Sequence, residues 1–248
     1  MNPAEFANIA RSEQSFWWYR GMNEILFRLL DPVVREQRFQ RVLEAGCGTG
    51  YLAKLLGERY QWPMVPVDLG WEGLNFARSM NIDRLTQADI AHLPFSDAAF
   101  DAVLSMDVIV HFPRGEEYAP VRELVRVLEP RGLLCIRVSA LDILRSRHSQ
   151  FAHERQRFTR ERLIRTVQAC GVDVQRCTYA NSLLLPVALA KFRLFEPLIA
   201  PEPASGVAPV HPLLDSLLYS ALQAEARWLG SGFNLPVGQS IVLVGRKR

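Results

Sequence analysis

The stretch Val42-Leu43-Glu44-Ala45-Gly46-Cys47-Gly48-Thr49-Gly50 constrains the chain more than any other. An apolar run entering three glycines at alternate positions suits a buried strand that turns sharply into a helix with its backbone close to a ligand. Residues 49–59 continue it: Tyr51, Leu52, Leu55 and Leu56 share one helical face, with Lys54, Glu58 and Arg59 on the other. The expected unit is strand, glycine loop, helix. Spacing narrows the ligand. The dinucleotide pattern G-x-G-x-x-G would need glycine where Tyr51 stands, and no Gly-Lys-Ser/Thr closes the loop as a P-loop requires. Glu44 at the strand's end would repel phosphates and suits a ligand with a positive charge or an amino group.

Four further segments follow in order: Val65-Pro66-Val67-Asp68, then Ala88-Asp89-Ile90, then Leu93-Pro94-Phe95-Ser96-Asp97-Ala98-Ala99-Phe100-Asp101-Ala102-Val103, then Arg122-Glu123-Leu124-Val125-Arg126-Val127-Leu128-Glu129-Pro130. With the glycine loop, over residues 41–140, they resemble the class I S-adenosylmethionine-dependent methyltransferases, in particular the small-molecule group with the ubiquinone/menaquinone-type methyltransferase domain. The resemblance implies an α/β fold, a doubly wound, seven-stranded, mostly parallel Rossmann-like sheet. It also implies S-adenosylmethionine as cofactor, S-adenosylhomocysteine as product and a small-molecule acceptor, methylated chiefly on oxygen. The expected organisation is an N-terminal helical cap or lid at 1–40, an S-adenosylmethionine-binding domain at 41–180 and 239–248, and a partly helical insertion at 181–238 before the last strand.

Candidate cofactor residues follow the strand ends. Asp68, about twenty residues past the glycine loop, can accept both ribose hydroxyls. The resemblance adds Leu69 beside it, a hydrogen bond from the adenine amino group to Asp89, and one from the Ile90 N–H to a ring nitrogen. It also assigns Glu44, Gly46, Cys47, Gly48 and Met106 to the cofactor. The aromatic stretch Phe16-Trp17-Trp18-Tyr19-Arg20-Gly21 has two readings. It is either a capping helix that packs Phe16, Ile25, Leu26 and Leu29 on the sheet, or, by the resemblance, a segment that closes over the cofactor. In the second, Tyr19 covers the site and the planar fork of Arg20 grips the methionine carboxylate.

The acceptor side is expected beyond the fourth strand, residues 100–106. In Ser105-Met106-Asp107-Val108-Ile109-Val110-His111-Phe112, Val110 stands where many relatives carry Glu, so no metal is expected. His111 is then the neutral-pH base of the segment, either catalytic or bonded structurally to a neighbouring loop. Arg145, Arg147, His148, His153, Arg155, Arg157, Arg160, Arg162 and Arg165 face only Glu154 and Glu161. They form either a solvated helix face, with Glu161 and Arg165 paired at i,i+4, or a site where Arg145, Arg147 and His148 meet an anionic acceptor.

Other expectations are coarser. A third strand is expected at 84–88, a helix at 116–128, a fifth strand at 133–138, a sixth at 172–179 and a seventh at 240–244. Arg131 falls where a type II turn needs positive φ, so the turn is type I or Arg131 is strained. Pro186, Pro197, Pro201, Pro203, Pro209 and Pro212 make the first half of the insertion irregular, and Leu214, Leu217, Leu218, Ala221, Leu222, Trp228 and Leu229 stripe a helix over 212–230. That stripe packs on the domain, roofs an apolar substrate or pairs with a second subunit.

A net charge of +3 is too mild to imply nucleic acid. Four cysteines without C-x-x-C spacing, and no signal peptide or stretch long enough to span a bilayer, point to a cytoplasmic protein with reduced thiols. No Asn/Asp-Pro-Pro-Tyr/Phe segment follows the fourth strand, and no cysteine follows a proline there. These absences disfavour amino methylation of nucleic acids and C5-pyrimidine chemistry. N- or C-methylation of a small molecule, an RNA or protein acceptor using the arginine run, and cofactor binding without turnover are the alternatives.

Overall fold

Apolar residues on both faces of the strands set up two cores. The computed structural model describes residues 2–196, 202–207 and 210–248. Its strands are β1 (Val42–Ala45), β2 (Met64–Asp68), β3 (Thr86–Gln87), β4 (Phe100–Met106), β5 (Leu128–Ser139), β6 (Val172–Ala180) and β7 (Ser240–Lys247). They form one seven-stranded sheet in the order β3-β2-β1-β4-β5-β7-β6. Only β7 runs antiparallel to its neighbours β5 and β6. All four residues of β1 are buried, as a central parallel strand covered on both faces requires.

Successive residues point to opposite layers. Leu43, Val103, Leu134, Ile136 and Leu243 join Val121 and Leu124 of α5 (Tyr118–Val127) and Leu163 and Val167 of α7 (Arg160–Ala169). On the other face Val42, Leu104, Leu133, Cys135 and Val242 meet α2 (Trp17–Glu36), α3 (Tyr51–Tyr60) and the long helix α9 (Pro212–Gly230). Among the described residues the other α-helices are α1 (Pro3–Ser12), α4 (Trp71–Ser79), α6 (Arg147–Phe151) and α8 (Leu185–Ala190).

Two carboxylates fasten the ends of this frame. Asp101 accepts the N–H groups of Gln40 and Arg41 at 2.6 and 3.0 Å, which sets the entry to β1 beside β4. Glu225, 2% exposed on α9, accepts the N–H groups of Asn181, of Ser182 at 2.7 Å and of Leu183 at 3.1 Å. It caps the chain leaving β6 and ties α9 to that end of the sheet.

Several expectations shift at their edges. β3 has two residues rather than five, the length of an edge strand with one neighbour. β5 begins at Leu128, so the turn expected before it lies within the strand. Arg131 takes φ +63°, the strained alternative. Ile25, Leu26 and Leu29 pack on the sheet as a capping helix should, whereas Phe16 is half-buried. In the insertion, Pro186 opens α8, a five-residue π turn covers Lys191–Phe195, and Pro197, Pro201 and Pro209 lie outside the described residues. In the α9 stripe Leu222 and Leu229 are buried, but Leu214, Leu217 and Trp228 are exposed, so that stripe is not one packed face. The four cysteines are unpaired, and no described helix is long and apolar enough to cross a membrane.

Glu225→Ala should leave three N–H groups, one buried and two part-buried, without their acceptor, at a cost of about 3 kcal/mol. The expected outcome is a lower denaturation midpoint and faster proteolysis within residues 181–238, with Glu225→Gln intermediate.

Candidate active site

The glycine loop is built by backbone geometry. The N–H groups of Gly46 and Cys47 both donate to the Val67 carbonyl, at 2.7 and 2.8 Å, which ties the end of β1 to that of β2. Gly46, Gly48 and Gly50 take φ of +87°, +56° and +79°. A Cβ at Gly46 would overlap the Val108 side chain, and one at Gly50 would lie 2.6 Å from Ala77 Cβ. The Gly48 N–H donates to Asp68 Oδ2 at 2.8 Å and the Gly70 N–H to Oδ1 at 2.7 Å. Asp68 is thus oriented at the end of β2.

Above the loop opens a cavity of about 750 Å³, within the usual range for small-molecule sites. It brings together Tyr19, Glu44, Gly46, Cys47, Gly48 and Met106 from the cofactor set, and His111, Arg147 and His148 from the acceptor set. It does not include Arg20, Asp68, Leu69, Asp89, Ile90 or Arg145. Arg20 turns to α9, pairing with Asp215 at 3.2 Å with its guanidinium 3.9 Å from the Tyr219 ring centroid. The phase of α2 carries it away from Tyr19, which faces the cavity, so the expected Arg20 grip is not seen. Beside Asp68, Phe6 of α1 packs on Gly70 and Gly73. A Cβ at either would lie 2.6 or 2.7 Å from its ring. Asp89 accepts the Ala91 N–H at 2.9 Å, Ile90 is buried, and Leu69 is 65% exposed.

Residues outside the expected set also line the cavity: Glu13 and Thr49, whose hydroxyl donates to Glu13, together with Asp107 and Arg137. Arg137 has a visible signal, a lone charge in the apolar run of β5. Glu13, on the chain between α1 and α2, has none.

Burial governs the electrostatics. Glu44 is 2% exposed, its Oε2 has no hydrogen-bond partner, and burial together with the nearby Asp68 carboxylate pushes its pKa to about 8. Burial likewise raises Glu13 to about 7. His111 is pushed below its ordinary value by burial, and its Nδ1 lies 3.1 Å from the His153 carbonyl. A neutral ring with Nδ1–H donating leaves the lone pair on Nε2.

The donors present suit S-adenosylmethionine. The unpaired Glu44 oxygen fits an ammonium, the side-chain-free loop allows close approach, and α3 starts without a side-chain cap beside Thr49 and Tyr51, where its N–H groups suit a carboxylate. Among the described residues no cluster could hold a metal.

The basic run is largely paired within the chain. Arg157 meets Glu154 at 2.6 Å, Arg162 meets Glu117 at 2.7 Å, Arg145 meets Asp142 at 3.6 Å, and Glu161 meets Arg160 at 3.5 Å rather than the expected Arg165.

Residues 43–136 match the protein family described as "Methyltransferase domain". The fatty-acid O-methyltransferase of Mycolicibacterium smegmatis is 39% identical over 97 residues, 38% of this chain and 35% of that protein. The "Probable tRNA methyltransferase 9B" of Mus musculus is 35% identical over 108 residues, 41% of this chain and 22% of that protein. The chain therefore spans about a third and about a fifth of these two curated relatives. The crystal structure of a SAM-dependent methyltransferase from Archaeoglobus fulgidus superposes with a TM-score of 0.60 at 16% identity, covering 95% of this chain and 97% of that one. That likeness is one of fold.

Glu44 predicts a proton linkage. Its folded pKa lies above its ordinary 4.5, so its protonation favours the folded chain. That contribution is complete below about pH 4.5 and is lost as pH rises towards 8. An ammonium beside it favours the ionised form. Calorimetry of S-adenosylhomocysteine binding at neutral pH, in buffers of differing ionisation enthalpy, should show proton release that Glu44→Gln largely removes.

Proposed function

From a chain that carries a class I S-adenosylmethionine-dependent methyltransferase domain, we propose that the protein methylates an oxygen of a small, amphipathic acceptor. The observation that carries this is one continuous cavity, running from the glycine loop past Asp107 and Arg137 to an apolar wall formed by α8, the π turn and the start of α9. A molecule seated there touches polar groups near the loop and hydrocarbon further out. The oxygen preference is supported by the fatty-acid O-methyltransferase relative.

S-adenosylmethionine, when bound, supplies a methyl group already activated on a sulfonium. The chain must position an oxygen in line with it and exclude water, an effect that reaches roughly 7–11 kcal/mol in the most favourable cases. Gly46, Gly48, Glu44 and the start of α3 would hold the methionine end. Asp68, Asp89 and Ile90 would hold the adenosine, with α1 packed over the ribose side. Trp17, Trp18 and Tyr19 of α2 close the cavity from above the loop. His111, kept neutral, offers Nε2 to a proton when the acceptor is a hydroxyl. Arg145, Arg157, Arg160 and Arg162 of the basic run are spent on ion pairs within the chain, which weighs against the RNA reading that the tRNA methyltransferase relative would suggest.

The test has two stages. S-adenosylhomocysteine should raise the thermal midpoint, and NADH should not. At 100 times its dissociation constant a ligand adds about 2.7 kcal/mol, or roughly 5–11 °C for a chain of this size. Labelled methyl transfer should then be screened over aliphatic carboxylates, alcohols, phenols and amines. Transfer only to amines would overturn the oxygen assignment. His111→Ala should cut turnover of a hydroxyl acceptor about 10²- to 10⁴-fold and leave that of a carboxylate within a few-fold, because a carboxylate has no proton to remove.

A further inference from the structure

Arg137 breaks an otherwise apolar row. Leu133, Cys135 and Arg137 point to the same face of β5; the first two are fully buried, and Arg137 is only 7% exposed. Its Nε donates to Asp107 Oδ2 at 2.7 Å, and its guanidinium carbon lies 5.2 Å from the Trp18 ring centroid. These contacts fix the plane of the group. Among the described residues neither terminal nitrogen has a hydrogen-bond partner, and Nη1 is sealed from the surface. The Asp107 pair balances the charge and leaves Nη2, the terminal nitrogen that keeps accessible surface, as the donor a ligand can reach. Buried donors of this kind are costly unless an acceptor meets them.

The other cations of the cavity are engaged or exposed. Arg157 spans both oxygens of Glu154, Arg147 donates to the Glu202 carbonyl, His148 Nδ1 accepts the Gly206 N–H at 2.9 Å, and Lys191 lies at the surface. Glu44 Oε2 is also unpaired, so the orphan donor and the orphan acceptor do not satisfy each other. Sheet order separates their tasks. Glu44 stands on β1, next to Asp68 on β2, whereas Arg137 stands on β5, across β4 and towards the apolar wall. The carboxylate of the cofactor has its own place at the uncapped start of α3.

We propose that Arg137 grips a carboxylate of the methyl acceptor, and that this acceptor is a carboxylic acid with an apolar chain lying along Leu184, Val187, Phe192, Phe195, Leu214 and Leu218. This rests on the reading of the chain as an O-methyltransferase and names the substrate class of that site. Nη2 can donate a charge-assisted bond to a carboxylate oxygen, and the Asp107 and Trp18 contacts fix the direction of that bond. In the transfer, one carboxylate oxygen forms a bond to the methyl carbon. The carbon–sulfur bond breaks, and its electron pair returns to sulfur. An anion and a sulfonium become a methyl ester and a thioether, and no proton moves.

The probes are laurate and dodecan-1-ol, offered to the full chain saturated with S-adenosylhomocysteine and followed by calorimetry. Laurate should bind at least about 30-fold more tightly than the alcohol. Arg137→Met should abolish that preference while S-adenosylhomocysteine affinity stays within about 3-fold, and Arg137→Lys should restore part of it. Labelled S-adenosylmethionine should yield methyl laurate. Equal binding of acid and alcohol by the wild-type protein overturns the proposal without any variant. Loss of S-adenosylhomocysteine affinity in Arg137→Met, parallel to loss of laurate, also overturns it and gives Arg137 to the cofactor. Methylation of alcohols alone overturns it and keeps the O-methyltransferase reading. Laurate held through Arg137, with no oxygen acceptor methylated, overturns that reading instead.

Discussion

Two N–H groups sharing one carbonyl hold the functional end of this molecule together. Gly46 and Cys47 can both reach the Val67 oxygen because the chain turns left-handed at Gly46, where a side chain would collide with Val108. That shared acceptor clamps the exits of β1 and β2 side by side. Gly48 can then donate to Asp68, and Glu44 comes within electrostatic range of the Asp68 carboxylate. The raised pKa of Glu44, set first by burial, therefore also owes something to the turn that brings Asp68 near. A buried carboxylate beside a second one favours the neutral acid until a cation arrives.

The face of the sheet under α2 and α9 carries the rest of the site. Helix α2 uses one side for core packing through Met22, Ile25, Leu26 and Leu29, and its first turn lays Trp17, Trp18 and Tyr19 over the cavity. The same helix is bound to α9 through Arg20, Asp215 and Tyr219. Cavity roof and apolar wall are thus parts of one packed unit. The position of each depends on the other, and the Glu225 cap at the end of β6 fixes both relative to the sheet.

Much of this was legible in the residues, and the exceptions share a cause. The buried runs of β1, β4 and β5 and the spacing from the glycine loop to Asp68 are local signals, and the sheet follows from them. The role expected of Arg20 depended on which way one helical residue points and on Asp215, 195 positions away, which no local pattern encodes. Part of the charge excess of the arginine run is met by Glu117, the partner of Arg162, which stands at the N-cap of α5 and so lies far from the run in sequence. Gly70 and Gly73 acquire a reason once Phe6 is seen lying on them. Arg137 announces itself as a charge among Leu133, Leu134, Cys135, Ile136 and Val138, but its use emerges only when Trp18 and Asp107 are brought beside it.

The apolar wall of the cavity enters the chain between β6 and β7, an antiparallel pair at the sheet's far edge. An edge hairpin can be joined by a connection of almost any length, because closing a longer loop adds only about 0.6 kcal/mol for each doubling. The parallel strands that hold the glycine loop tolerate no such freedom, since their crossovers are packed helices. The architecture therefore separates two rates of change. The glycine-loop half is locked by the sheet, whereas the described part of residues 181–238 is a cassette whose exposed side chains can change while Glu225 and the buried Leu222, Ala226 and Leu229 hold it to β6 and the core. New acceptor preferences on this scaffold would be expected to arise by rewriting that cassette.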